Sequence, residues 1–204
     1  MSVSCKSAGF TDGEVRQAVR IQIRELNQGF LSSLGEDPLA LIFHHAGTSE
    51  YGVLVLAVDS RDGSVVGYVL GSTDTARFYQ DFLRHHTFAA VRSFLPRLLS
   101  WRRMLKAFET LLYPTRRHRQ GPSLGTAELL DLAVDDGHQG TGVAQALFAA
   151  FVEECRLGAV DQFTIPTAAS LERAHRFYER MGATRVTSVE VHDGELSYVY
   201  TYWL

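Results

Sequence analysis

The stretch "AELLDLAVDDGHQGTGVAQALFAAFVEEC", residues 127–155, decides how this chain folds. Residues 127–134 are mostly apolar and read as a buried strand, whereas Val143 onward carries Ala, Leu, Phe and Glu at helical spacing. Between them lie Gly140, Thr141 and Gly142, so the whole is a strand–glycine turn–helix junction. Glycine admits a left-handed backbone and lets another group approach without a Cβ in the way. Amides at a helix start have no carbonyl partner, and with the helix dipole they favour an anion. The amides of Gln139, Gly140, Thr141, Gly142, Val143 and Ala144 therefore form a candidate phosphate cradle, with a nucleotide pyrophosphate as its natural guest. His138 is expected near the phosphates rather than in catalysis.

Two common nucleotide folds do not fit this turn. A dinucleotide-binding fold needs Gly-x-Gly-x-x-Gly close to the first strand and a later acid for the ribose, but here the turn comes late and lacks the third glycine. A P-loop needs a lysine that is also missing.

Working outward, "TDGE" at 11–14 is a capping box that starts a helix to about Asn27, followed by a short helix around Leu39 to His45. "YGVLVLAVD" (51–59) and "SVVGYVLGS" (64–72) make a hairpin about "SRDG". After the junction come a strand around 161–165, a helix around 171–181 closed by Gly182, and a final hairpin, "TRVTSVEV" and "ELSYVYTYWL". This pattern predicts an α/β fold in the broad sense, a mixed sheet flanked by helices, as one domain over residues 1–204.

The net charge of −3 conceals an asymmetry. Residues 75–120 hold ten Arg and Lys against only Asp81 and Glu109, a segment of +8 that leaves −11 elsewhere. The segment reads as a helical insertion, broken at Pro96 and closed at Pro114. Three roles stay open for it: a cap with a solvated basic face, a lid or dimer interface, or a basic amphipathic surface. Its aromatics sit at helical core spacing, which argues against nucleic-acid readout. No apolar run is long enough to span a membrane, so no integral membrane contact is expected. The start "MSVSCKSAGF" lacks the pattern of a secretion signal, and Cys5 and Cys155 make no disulfide framework, so a cytoplasmic setting is expected. The pairs His44–His45 and His85–His86 have no supporting acid or cysteine cluster, and no metal is expected.

A second stretch, "AHRFYERMGA" (174–183), resembles the A-x-x-F-Y-x-x-x-G-F signature of the GNAT superfamily of acyl-CoA-dependent N-acyltransferases. "LAVDDGHQGTGVAQAL" resembles that superfamily's strand and pyrophosphate loop, and the two occur in the family's order. The resemblance covers the chain apart from 75–120. It implies a mostly antiparallel GNAT-type sheet flanked by helices, with acetyl-CoA as co-substrate and a small-molecule amine as acceptor. A peptide or protein N-terminus is the alternative acceptor, and a non-catalytic CoA-binding regulatory module the alternative class; a homodimer is compatible with either.

The resemblance also implies roles. The backbone of Leu132, Ala133 and Val134 would bind the pantetheine arm, with their side chains in the core, and residues 139–144 would hold the pyrophosphate. Tyr178 matches the tyrosine that protonates the departing thiolate. Glu128 matches the general-base glutamate of one branch, with Asp131 and a water relay as competitors. In a strictly alternating strand Glu128 and Asp131 face opposite sides, a parity that a bulge can alter. The chain departs from the pattern at Leu171, where many members carry asparagine, at Ala183, where an aromatic is usual, and at Gln139, where arginine is also common.

Overall fold

The computed structural model describes residues 3–26, 35–94, 125–191 and 195–204. Within them the predicted elements are found close to their predicted bounds. Helix α1 runs over Asp12–Glu25, α2 over Glu36–Ala46, and the hairpin strands β2 and β3 over Gly52–Asp59 and Val65–Ser72. The basic segment begins as helix α3, Thr75–Phe94; its breaks at Pro96 and Pro114, and most of its positive charge, lie outside the described residues. Strand β4 is Ala127–Val134 and helix α4 is Val143–Leu157. Then come β5 at Gln162–Ala168, α5 at Glu172–Arg180, β6 at Thr184–Val191 and β7 at Glu195–Trp203.

One strand was not foreseen. Val3–Lys6 forms β1, a four-residue edge strand paired antiparallel to β2. A segment this short carries no periodic signal, and its pairing with β2 defines it. It is tied to α1 through the predicted capping box: the Glu14 carboxylate accepts from the Thr11 amide at 2.7 Å and from Lys6 Nζ at 2.8 Å. Those donors hold the Glu14 carboxyl down at about 2.

The strands make one sheet in the order β1-β2-β3-β4-β5-β7-β6. Only β4 and β5 run parallel. One face is covered by α1, α2 and α3, where Val15, Val19, Leu39, Phe43, Tyr68 and Phe78 form a core. The other is covered by α4 and α5, where Leu147, Phe148, Phe151, Phe163 and Tyr200 form a second core. Burying both faces is what the apolar runs of β2 and β3 require. No helix among the described residues is long and apolar enough to cross a membrane.

Candidate active site

Strands β4 and β5 pair only at Ala127↔Phe163 and Glu128↔Thr164. Beyond those two steps they part, and a cleft of about 730 Å³ opens between Leu129–Val134 on one side and Pro166–Ala168 on the other. Proline, which lacks a backbone donor, is tolerated at position 166 because β5 has already left β4 there. The glycine turn and α5 close the cleft: Gln139, Gly140 and Ala144 line it, together with Ala174, Phe177 and Tyr178. A second, more polar recess of about 520 Å³ lies at the opposite ends of β4 and β5, around Tyr51, Asp74 and Arg77, and shares no residue with the cleft.

The turn has the conformation its glycines predict. Gly140 has φ of +75° and Gly142, the residue before α4, has φ of +93°. A Cβ on either would meet no protein atom within 4 Å, so glycine supplies the left-handed backbone and clear space above it. Gln139 NH bonds back to Asp136, and the next backbone amide with a described carbonyl partner is that of Ala146, bonded to Gly142. The amides of residues 140–145 are thus left for an anion at the start of a fifteen-residue helix. Gln139 turns its side-chain amide inward, donating to Val134 O and to Glu25, both at 3.1 Å, and so pins the turn to β4 and α1. Thr141 Oγ1 closes the turn on His138 O at 2.6 Å, and Val143 is buried in the core beneath. His138 lines the cleft and packs beside Asp135 and Asp59.

On β4, Ala133 and Val134 are buried and Leu132 packs against the second core, and all three residues line the cleft. A bulge breaks the alternation: Leu70 pairs with Asp131, but the next residue, Gly71, pairs with Leu129, leaving Leu130 as the extra residue. Asp131 and Glu128 therefore stand opposite Leu70 and Ser72, on the same face of the sheet. Strict alternation would have opposed them. Only Asp131 lines the cleft, where Tyr68 donates to its Oδ2 at 2.7 Å. Glu128 lies off the cleft, towards Tyr79 of α3, whose phenol is pushed up by burial first and by the Glu128 charge second. Neither is the well-hydrated edge carboxylate that the strand alone would suggest: burial raises Glu128 to about 8 and Asp131 to about 7.

Tyr178 is buried at one wall of the cleft, with Phe177 beside it in the same core. Its hydroxyl makes no hydrogen bond among the described residues, and burial with the nearby Asp131 charge raises its pKa, so it is protonated at neutral pH. A further cleft residue was missed in the sequence. Thr167 is buried, lines the cleft, and its Oγ1 has no partner among the described residues. An orphaned buried hydroxyl beside a cleft is a group waiting for a ligand or water, and one threonine in an apolar strand gave no signal of it. Leu171 also lines the cleft and is largely exposed, and Ala183 is buried.

Three of the four histidines meet, whereas His44 pairs with Asp12 of α1 instead. His45 from α2 packs against His86 (3.2 Å between ring nitrogens), His85 and Asp81 of α3. Among the described residues no group of three or more ligands is arranged to hold a metal.

The model of the Acetyltransferase (GNAT) family matches residues 20–183. No curated protein matches the sequence. Among solved structures, an acetyltransferase of the GNAT family from Desulfovibrio desulfuricans is 17% identical, covers 99% of both chains and superposes with a TM-score of 0.63. Ard1 from Thermoplasma volcanium is 17% identical over 100% of this chain and 99% of its own, with a TM-score of 0.63. NAA60 of Arabidopsis thaliana, solved with acetyl-CoA, is 15% identical over 100% and 99%, with a TM-score of 0.62. At such identities these likenesses show the fold.

Proposed function

Because this chain belongs to the GNAT acetyltransferase family, we propose that it transfers an acetyl group from acetyl-CoA to the primary amine of a small-molecule acceptor. The observation that carries the reading is one cleft lined by residues of the glycine turn, the parted strand β4, Asp131 and the unengaged Tyr178 hydroxyl. The residues fit the co-substrate. The amides of residues 140–145 and the α4 dipole would hold the pyrophosphate. The backbone of Leu132, Ala133 and Val134, unpaired across the cleft, would hold the pantetheine arm, and the Thr167 hydroxyl offers one more hydrogen bond. Bound there, the thioester supplies an activated acyl group.

The chain's own residues then handle protons. As the acceptor nitrogen bonds to the acyl carbon and the carbon–sulfur bond breaks, a carboxylate of β4, Glu128 or Asp131, takes the ammonium proton. The phenol of Tyr178 gives its proton to the departing sulfur, a direction its raised pKa supports by keeping the phenol protonated until then. The free thiols of Cys5 and Cys155 accord with a reducing, cytoplasmic setting.

The test is a calorimetric titration of acetyl-CoA into wild-type protein and Gly142→Glu, with circular dichroism to verify both folds. Micromolar binding that the variant loses is expected; equal binding by both would remove the turn from the site, and no binding by either would remove the reading. Thiol release with a panel of amines and peptide N-termini then identifies the acceptor class, and binding without any release would leave a CoA-binding module.

A further inference from the structure

We propose that Tyr68 is a positioning residue for this chemistry: through its hydrogen bond it holds Asp131 in the cleft as the proton acceptor, which Glu128 is not. The inference rests on the acyltransferase reading and assigns one of its two carboxylates.

The geometry begins with the β3–β4 ladder. On an antiparallel pair, residues two apart on one strand share a face and reach each other's cross-strand partners diagonally. Tyr68 pairs with Ala133 and Leu70 with Asp131, an unbroken stretch of the ladder that sets Asp131 diagonally opposite Tyr68 on one face. The bulge at Leu130 lies beyond this stretch and turns Glu128 onto the same face. Tyr68 is itself immobile: it is fully buried and its ring meets Phe43 edge-on, with centroids 5.0 Å apart. A rigid donor 2.7 Å from Oδ2 fixes the carboxylate.

The titratable groups facing Asp131 are Tyr68 from β3 and Tyr178 from α5, and among the described residues no cation acts on it. Burial pushes the carboxyl up, whereas the Tyr68 hydroxyl and the Leu132 amide favour the ionised form and pull it back to about 7. A base serves best when its pKa lies close to the working pH. Glu128 has no such donors acting on it, stands higher at about 8, and lies outside the cleft.

A buried tyrosine needs some acceptor for its hydroxyl, so a purely structural role for this hydrogen bond is the competing explanation, and pH separates the two. Removing the donor in Tyr68→Phe raises the Asp131 pKa. The acid limb of kcat/KM should therefore move to higher pH by about one unit, the scale of a hydrogen bond to a charged group. The variant should be about fivefold slower at pH 7 and approach wild type above about pH 9, where Asp131 is ionised in both. A structural defect would instead lower the rate evenly across pH. Asp131→Asn should lose the limb and about a hundredfold or more in rate, while Glu128→Gln keeps the limb. Titration of the Asp131 carboxyl carbon by 13C NMR, in wild type and Tyr68→Phe, should show the same upward shift without any acceptor.

Superimposable rate profiles for wild type and Tyr68→Phe, an unshifted carbon titration, or a limb that survives Asp131→Asn and vanishes in Glu128→Gln would each overturn the assignment. A failure of every amine to release thiol is a different result: it removes the acyltransferase reading and this inference with it. Unchanged acetyl-CoA affinity in the variants marks the folded, donor-binding protein in which these comparisons count.

Discussion

Glu128 and Asp131 sit three residues apart on one strand, and what separates them is the company each keeps. Asp131 accepts a hydrogen bond from Tyr68, whereas Glu128 has burial and a neighbouring phenol. A carboxyl whose folded pKa exceeds its unfolded value contributes fully to stability below the unfolded pKa, near 4.5, and loses that contribution as pH rises through about 8. Glu128→Gln removes this liability. Its melting temperature should match wild type at pH 4 and exceed it increasingly up to pH 9, as followed by thermal circular dichroism at each pH. A gap that does not change with pH would mean that Glu128 is better solvated than the structure indicates. At this scale the candidates were legible where chemistry resides in short motifs: Tyr178, Glu128, Asp131 and the turn from Gln139 to Ala144. The contact that distinguishes the two acids was not, because Tyr68 and Asp131 are 63 residues apart and meet only across a strand pair. Thr167 was hidden for a similar reason, since its lack of a partner is a property of its neighbours.

At the scale of elements, the β3–β4 ladder is where local sequence and final structure diverge most. The bounds of β4, α4, β6 and β7 follow from apolar patterning and from turn residues at their ends, and the α1 cap follows from Thr11 and Glu14. The bulge follows from none of these, because "AELLDLAV" contains no glycine or proline to mark it. Its signal lies on the partner strand. A Cβ at Gly71 would stand 2.7 Å from the Glu128 carbonyl oxygen and within the Phe151 ring, so the close approach of β3 to the bulged β4 requires glycine there. Gly71→Ala should therefore cost about 1–3 kcal/mol, the usual range for overpacking a filled core, read by urea unfolding. Gly63, in the β2–β3 turn with open space around it and φ of +74°, is the comparison at which alanine overpacks nothing and any cost is that of the left-handed backbone. A Gly71→Ala variant of wild-type stability would show that the two strands are less tightly apposed than described.

Across the whole molecule, the sheet holds together through β3–β4 on one side and β5–β7 on the other, with only two residue pairs joining β4 to β5. Each half is backed by its helices, so the parted strands are the place where the fold leaves backbone groups unspent. A ligand that fills this gap acts as a missing strand, and it should stabilise the protein in proportion to its affinity. At a hundred times its dissociation constant, acetyl-CoA should add about 2.7 kcal/mol. For a chain of 204 residues this corresponds to a rise of about 5–10 °C in melting temperature. The rise should vanish in Gly142→Glu. Hydrogen exchange locates the effect more sharply than melting does. Amides of β4 beyond its pairing with β5, in the stretch Leu129–Val134, should gain protection with ligand, whereas those of β1 and of the β2–β3 hairpin should gain little. A thermal shift with protection confined to the other recess, around Tyr51 and Arg77, would place the ligand there and leave the gap between β4 and β5 without its proposed occupant.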